Sequence, residues 1–173
     1  MLILPGQVKL CFMTVQIPDK LELDNPFWHF SLSLWQNKTL RTLLLRLQDE
    51  QGQRINLILF ASWLAKQKKE INTELKQLCL VSESWHDNIV SPIREARKKL
   101  PKSEVSSALK THLQKSELLA EQYEQAILFK CSTVIQSDET NNISFEDRLR
   151  VNLSTGQLRE SDLSLIIDIL VRR

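Results

Sequence analysis

The sequence predicts an all-α fold, an irregular bundle of five core helices plus one or two C-terminal helices. Only three of the 173 residues are Gly and five are Pro. A β-sandwich or barrel needs a turn about every 8–12 residues, usually made with such residues. Phosphate-binding loops need clustered glycines, which this chain lacks. Apolar residues instead recur at steps of three and four, the spacing of one helix face.

The composition is that of an ordinary globular domain, with 42% apolar and 25% charged residues. We expect an N-terminal arm over 1–24, a helical core domain over 25–136 and a C-terminal helical extension over 137–173. Residues 1–12 lack the basic start and the cleavage site of a signal peptide. We expect them to be dispensable, with Met13 as an alternative translation start. No segment approaches about 18 apolar residues, so we expect no membrane span.

Polar capping residues mark the first two helices. Asp24 or Asn25 can cap a helix over about 26–36. Asn37 can cap a second helix, whose leucines recur on one face. Gly52 follows that apolar stripe directly, which predicts a helix stop in the left-handed conformation.

The third predicted helix, about 54–69, is apolar nearly all round, which indicates a central, buried position. Asn56 shares a face with Leu59, Phe60 and Trp63, so we expect it to be buried as well. A buried amide without hydrogen-bond partners costs about 1–3 kcal/mol. Asn56 must therefore find partners inside the domain.

Five further helices are predicted after residue 72. Their expected ranges are about 73–82 after Asn72, 84–100 from a Ser84–Asp87 capping box, 104–135 after Ser103, 144–153 from Ser144, and 161 onwards from Ser161. Pro92 either kinks its helix or begins a fresh one.

The longest predicted helix carries one apolar line that includes Leu109, Ile127 and Cys131. We expect this line to pack on neighbouring helices of the same chain rather than on another chain.

The cysteines predict neither a disulfide framework nor a zinc site. Cys11, Cys79 and Cys131 are odd in number, far apart in sequence and outside any CxxC motif. A reducing cytoplasm is the natural compartment for such a chain.

No motif indicates catalysis or metal binding. The three histidines form no metal motif, and the chain has no GxSxG sequence. Glu117, Glu121 and Glu124 share a helix face, but no ExxH accompanies them as in di-metal bundles. We interpret these three glutamates as an exposed acidic strip. We therefore expect no metal, no cofactor and no catalytic residue.

Charge is distributed unevenly along the chain. Residues 25–69 carry seven basic and two acidic side chains, whereas 70–93 carry one lysine and four acids. Residues 131–173 carry five arginines and seven acids. Such blocks could steer a charged partner, although most charge blocks are solvated surfaces.

The most basic segment is 94–102, with five bases and one acid. Arg94 and Arg97 lie one turn apart and could present two guanidinium groups to a carboxylate or a phosphate. In the structural alternative, one of these arginines pairs with Asp49 or caps the end of the second helix.

Several motifs between about 25 and 130 together resemble one uncharacterised family. The matching segments are Phe27-Trp28, Leu47-Gln48-Asp49 with Gly52, Asn56-Leu57 to Phe60, Trp63-Leu64-Ala65, Trp85, Pro92-Ile93-Arg94, Arg97 and Leu100. The family pattern runs FW…LQDxxGxxVNLLLFxxWLA…W…PLRxxRRxLK, and Ile55, Ile93 and Lys98 depart from it mildly. The pattern is that of a bacterial domain of unknown function, seen mainly in proteobacteria.

The resemblance implies a helical, cytosolic protein and no particular reaction, because the family has no assigned activity. It singles out polar or special positions as candidates for a shared role. These positions are Gln48, Asp49, Gly52, Asn56, Arg94 and Arg97.

Three functional hypotheses follow. The first is a non-enzymatic cytoplasmic module that binds another protein, which rests on the missing catalytic motifs and the uneven charge. The alternative is a small enzyme or ligand-binding domain whose polar pocket contains Asp49, Asn56, Arg94 and Arg97. This alternative requires the four side chains to converge on an open cleft. The third is nucleic-acid binding through the basic segment 94–102.

Overall fold

A computed structural model describes residues 20–101, 104–137 and 142–172. Every regular element in these ranges is a helix, so the predicted all-α fold is confirmed. Within the same ranges, no helix has the length and apolar character needed to cross a membrane. The predictions for residues 1–12, for Met13 and for the Ser103 cap lie outside the described residues.

The helices follow one another with short connections. In chain order they are α1 (Pro26–Trp35), α2 (Lys38–Gln51), α3 (Ile55–Lys66), α4 (Thr73–Leu78), α5 (Leu80–Trp85), a π-helical turn (His86–Val90), α6 (Ser91–Lys99), α7 (Glu104–Ser132), α8 (Phe145–Leu153) and α9 (Glu160–Val171).

The predicted caps set the beginnings of three helices. The side-chain oxygens of Asn25, Asn37 and Asn72 accept the backbone N–H three residues later, at 2.9, 3.1 and 2.8 Å. Each bond satisfies one N–H that a helix start leaves unpaired. Gly52 ends α2 with φ of +65°, the left-handed conformation that its position predicts. A Cβ there would meet no atom within 4 Å, so the backbone conformation alone favours glycine.

The segment before α6 differs from the prediction. Ser84 lies inside α5, so the predicted capping box with Asp87 is wrong. A single π-helical turn follows, and the N–H of Ser91 donates to the carbonyl of His86. Pro92 then falls in the first turn of α6, directly after the π-helical turn, where the regular i→i−4 hydrogen bonding of the helix is already altered.

Helix α3 lies at the centre of the core, as its apolar surface predicts. The ring centroids of Phe27 and Phe60 are 5.4 Å apart, and those of Trp63 and Phe129 are 5.7 Å apart. Trp63 is only 5% exposed. These rings join α1 and α7 to α3 with the tilted geometry that aromatic pairs favour.

Helices α8 and α9 belong to the same core. Leu149 and Ile166 are fully buried within it. The amide of Asn152 in α8 donates to the carbonyls of Ala61 and Lys69 at 3.2 and 3.0 Å. Polar and apolar contacts therefore both attach the predicted C-terminal extension to α3.

The two halves of α7 differ in burial. Ile127 and Leu128 are fully buried, but Leu109 near the beginning is 53% exposed. The expectation that the whole apolar line packs on the same chain is therefore wrong for Leu109. Helical periodicity shows which residues share a face, but not how far the neighbouring helices extend along it.

Candidate functional site

Helix α7 turns three glutamates toward its neighbours. Glu117, Glu121 and Glu124 follow at steps of four and three, so they share one face. Glu117 is 7% exposed and Glu124 is fully buried. The prediction of an exposed acidic strip is therefore wrong. A buried carboxylate needs charged or hydrogen-bonding partners, and bases from α6, the π-helical turn and the start of α3 supply them.

Glu124 is the most enclosed carboxylate of this cluster. It accepts hydrogen bonds from Arg54 Nη2 at 2.7 Å and from Asn56 Nδ2 at 2.8 Å. Its Oε2 lies 3.2 Å from Nδ1 of His86. Burial acts to raise the pKa of Glu124, but the hydrogen bond with His86 and the charge of Arg54 hold that pKa below its usual value. Glu124 thus links α3 and the π-helical turn to α7.

Asn56 is 8% exposed, as its position in the apolar helix predicts. Its Nδ2 donates to Glu124, and its Oδ1 accepts from Gln125 Nε2 at 2.8 Å. Both polar atoms of the side chain are therefore satisfied inside the domain. These bonds remove the desolvation cost that a buried amide would otherwise carry.

Arg94 and Arg97 enclose the other end of the glutamate row. Arg94 Nε donates to Glu117 at 2.7 Å, and Arg94 also contacts Glu121. Arg97 Nη2 donates to the same Glu117 at 3.1 Å. Burial acts to raise the pKa of Glu117, but its hydrogen bonds with Arg97 and Arg94 hold that pKa below its usual value.

Glu121 lies between the two enclosed carboxylates. Burial raises the pKa of Glu121 to about 7. The charge of Arg94 opposes this rise, while the negative charges of Glu117 and Glu124 add to it. This glutamate therefore changes its charge close to neutral pH.

The remaining predicted site residues lie apart from this cluster. Asp49 pairs with Lys98 at 2.7 Å on the exposed surface, rather than with Arg94 or Arg97. Gln48 is half-buried in α2, and its carbonyl accepts the N–H of Gly52 at 3.2 Å. The structure thus brings Asn56 into the same cluster as the two arginines, through the glutamates of α7, and leaves the Asp49 region outside it.

Sequence reasoning missed Arg54, His86 and the role of the glutamate row. A signal for the row was present, because the 94/97 spacing and the 117/121 spacing are those of two complementary helix faces. No comparable signal marks His86, since the π-helical turn that carries it has no sequence signature here. Turns of this type are frequent at functional sites.

Two of the cysteines meet in the folded chain, although 52 positions separate them in the sequence. Cys79 and Cys131 are buried free thiols. A hydrogen bond with Cys131, together with burial, raises the pKa of Cys79. Within the described ranges, no three His, Cys, Asp or Glu side chains are grouped to hold a metal ion.

An open cleft of about 630 Å³ lies beside the turn between α2 and α3. Its walls come from the first turns of α3, from α4 and α5, and from the connection between α8 and α9. We call it the Gly52 cleft. The residues that characterise it are Gly52, Leu57, Ile71, Lys76, Leu80, Glu83, Asp87 and Leu158.

The family assignment follows from a comparison with family models. The model described as Protein of unknown function (DUF2390) matches residues 26–128, which include α1 to α6 and most of α7. The chain belongs to this family. The DUF2390 match contains both arginines of the cluster and all three glutamates. No curated protein and no solved structure gives a significant match to the chain.

Proposed function

We propose that this DUF2390 chain is a non-enzymatic, cytoplasmic helical module that binds another protein through the Gly52 cleft. The occupant is a basic amphipathic segment of the partner. The observation that carries the proposal is an exposed leucine, Leu80, which is 57% exposed in the wall of an open cleft with acidic side chains nearby. Amphipathic helices commonly dock in such grooves through apolar anchors.

The acidic edge of the cleft supports a basic partner there, while Lys76 and Arg54 lie elsewhere in the lining. Glu83 and Asp87 are exposed and line the cleft. Asp87 has no ion-pair partner among the described residues. Glu83 lies 3.8 Å from Arg54, whose shorter contact is with the buried Glu124. A partner's lysine or arginine would therefore gain acidic contacts at the edge of the apolar surface.

The ligand-binding alternative loses its main support. It requires Asp49, Asn56, Arg94 and Arg97 to converge on an open cleft. Both arginines and Asn56 instead hydrogen bond to glutamates of α7, while Asp49 lies at the surface with Lys98. Internal partners of this kind favour a structural role for the cluster.

The same contacts weaken the nucleic-acid hypothesis. Arg94 and Arg97 are partly neutralised by Glu117, and Lys98 by Asp49. Phosphate binding needs cations that can exchange their counterions for phosphates. We expect little retention on heparin, and retention that is lost at moderate salt would instead favour nucleic-acid binding.

Site-specific photo-crosslinking in the native cell tests the proposal. A benzophenone amino acid replaces Leu80 in one variant and Leu119 in another. Leu119 is 50% exposed but lines neither cleft, so it is a matched control. We expect a protein partner crosslinked only from position 80, and through a basic segment of that partner.

A charge reversal tests the chemistry of the contact. Asp87→Lys, added to the Leu80 crosslinking variant, should abolish the crosslink, because it repels a basic segment. Identical crosslinked proteins from positions 80 and 119, or a crosslink that Asp87→Lys leaves unchanged, would contradict the proposal.

A further inference from the structure

A second cleft, also of about 630 Å³, lies between α1, the end of α3 and the beginning of α8. We call it the Arg148 cleft. Its apolar walls include Phe30, Leu34, Phe145 and Leu170. None of the described residues that line it is acidic, whereas Lys66 and Arg148 are basic. The cleft thus combines an apolar surface with an excess of positive charge.

Arg148 differs from the exposed Lys66 of this lining, because the charged side chain of Arg148 is only 2% exposed. Its Nη1 donates to the carbonyl of Lys68 at 2.7 Å. The contact with Glu70 spans 3.7 Å, which is longer than a hydrogen bond. Its Nη2 is buried and has no hydrogen-bond partner among the described residues. The guanidinium group therefore has one hydrogen bond and one longer ionic contact, and Nη2 alone lacks the acceptor that normally offsets desolvation.

Lys66 adds a second positive charge at the edge of the cleft. It is exposed, and its Nζ lies 5.8 Å from the centre of the Phe30 ring. No ion pair between Lys66 and a described carboxylate is formed. An anion that reaches Arg148 would therefore also gain from Lys66 without displacing an internal partner.

We propose that the Arg148 cleft binds a small organic anion, a carboxylate or phosphate group attached to an apolar body. The anionic group binds against the guanidinium of Arg148, whose Nη2 gains the acceptor that it lacks, and Lys66 adds its charge. Phe30 and Phe145 contact the apolar body. The volume falls within the range of about 300–1,000 Å³ that small-molecule sites occupy. This site is separate from the Gly52 cleft, so the inference is independent of the proposed function.

Titration of the full chain with three probes, followed by two-dimensional NMR, tests the inference. The probes are 4-phenylbutyrate, phenyl phosphate and the neutral 4-phenylbutyramide. We expect at least one anion to shift the backbone signals of α1 and of the start of α8. The amide should bind about tenfold more weakly or not at all, because it loses a charge-assisted hydrogen bond. The anion that binds with the higher affinity identifies whether the cleft prefers a carboxylate or a phosphate.

Three variants locate the binding. Arg148→Lys retains the charge but removes the forked donor, and Lys66→Gln removes an exposed charge that the fold does not need. Each should weaken anion binding about tenfold. Lys115→Gln, an exposed lysine of α7 outside both clefts, should leave binding unchanged. The inference is overturned if neither anion binds at millimolar concentration, if the amide binds equally well, or if Lys115→Gln weakens binding as much as Lys66→Gln.

Discussion

The cluster on α7 and the Arg148 cleft both bury arginines, but they differ in the partners of those arginines. Arg94 and Arg97 donate to the carboxylate of Glu117. Arg148 is more deeply buried, yet it hydrogen bonds to one backbone carbonyl and leaves Nη2 without a partner among the described residues. Burial of a cation therefore does not by itself indicate a binding site. A buried donor without a partner among the described residues occurs in both regions, as Nε of Arg54 and as Nη2 of Arg148. What distinguishes the cluster is that each of its arginines donates to a carboxylate, whereas Arg148 hydrogen bonds only to a backbone carbonyl.

Removing the charge of Glu124 should have the largest effect on stability. Glu124→Gln leaves the guanidinium of Arg54 without its buried counter-charge, and breaking a buried ion pair costs about 3–5 kcal/mol. Urea denaturation followed by circular dichroism measures the free energy of unfolding. Glu146→Gln, an exposed acid of α8, is the control and should change this free energy by no more than about 0.5 kcal/mol. Equal effects of the two variants would contradict the closed cluster.

The next largest loss of stability should come from removing the charge of Arg94, and Arg148 provides the comparison. Arg94→Met removes the main partner of Glu121 and one partner of Glu117, so it should cost about 3 kcal/mol. Arg148→Met loses one hydrogen bond to a carbonyl but also removes a poorly paired buried charge, so it should cost about 1 kcal/mol or less. Denaturation of both variants in parallel measures the difference. A larger loss for Arg148→Met would mean that its charge is already satisfied within the fold.

The pH dependence of stability should distinguish Glu121 from the other two glutamates of the cluster, whose pKa values are lowered. The pKa of Glu121 is raised to about 7, so its carboxyl group binds a proton more tightly in the folded chain than in the unfolded chain. Its contribution is therefore fully present below the unfolded pKa and is lost as the pH rises toward and through 7. Wild type should lose more stability between pH 5 and pH 8 than Glu121→Gln does. Parallel pH profiles of the two proteins would show that Glu121 titrates normally.

The exposed ion pair between Lys98 and Asp49 should have the smallest effect on the free energy of unfolding. Lys98 and Asp49 are 51% and 58% exposed, and exposed ion pairs contribute about 0.2–1 kcal/mol. A double-mutant cycle with Lys98→Gln and Asp49→Asn should give a coupling energy of about 0.5 kcal/mol or less, further reduced by salt. A coupling as large as the loss for Arg94→Met would place this pair in the cluster.

The family pattern and the local sequence identified residues that cap helices and a residue that is buried in the core, and each kind was found from a different signal. Asn25, Asn37 and Gly52 act through the backbone of their own helices, so capping rules located them without any tertiary information. Asn56 could be placed in the core because the apolar residues around it surround the whole helix. The partners of Asn56 could not be named, since they lie 68 and 69 residues away.

The sequence by itself determined the all-α fold, the asparagine caps of α1, α2 and α4, the stop at Gly52 and the buried character of α3, because these features depend on residues within one or two turns of each other. Only the tertiary structure decided that the glutamates of α7 are buried, that Arg94 and Arg97 bind them rather than Asp49, and that Arg148 lines an open cleft. Periodicity shows which side chains share a helix face. The packing of that face against other helices decides whether a charge lies in water, in an ion pair or beside a cleft.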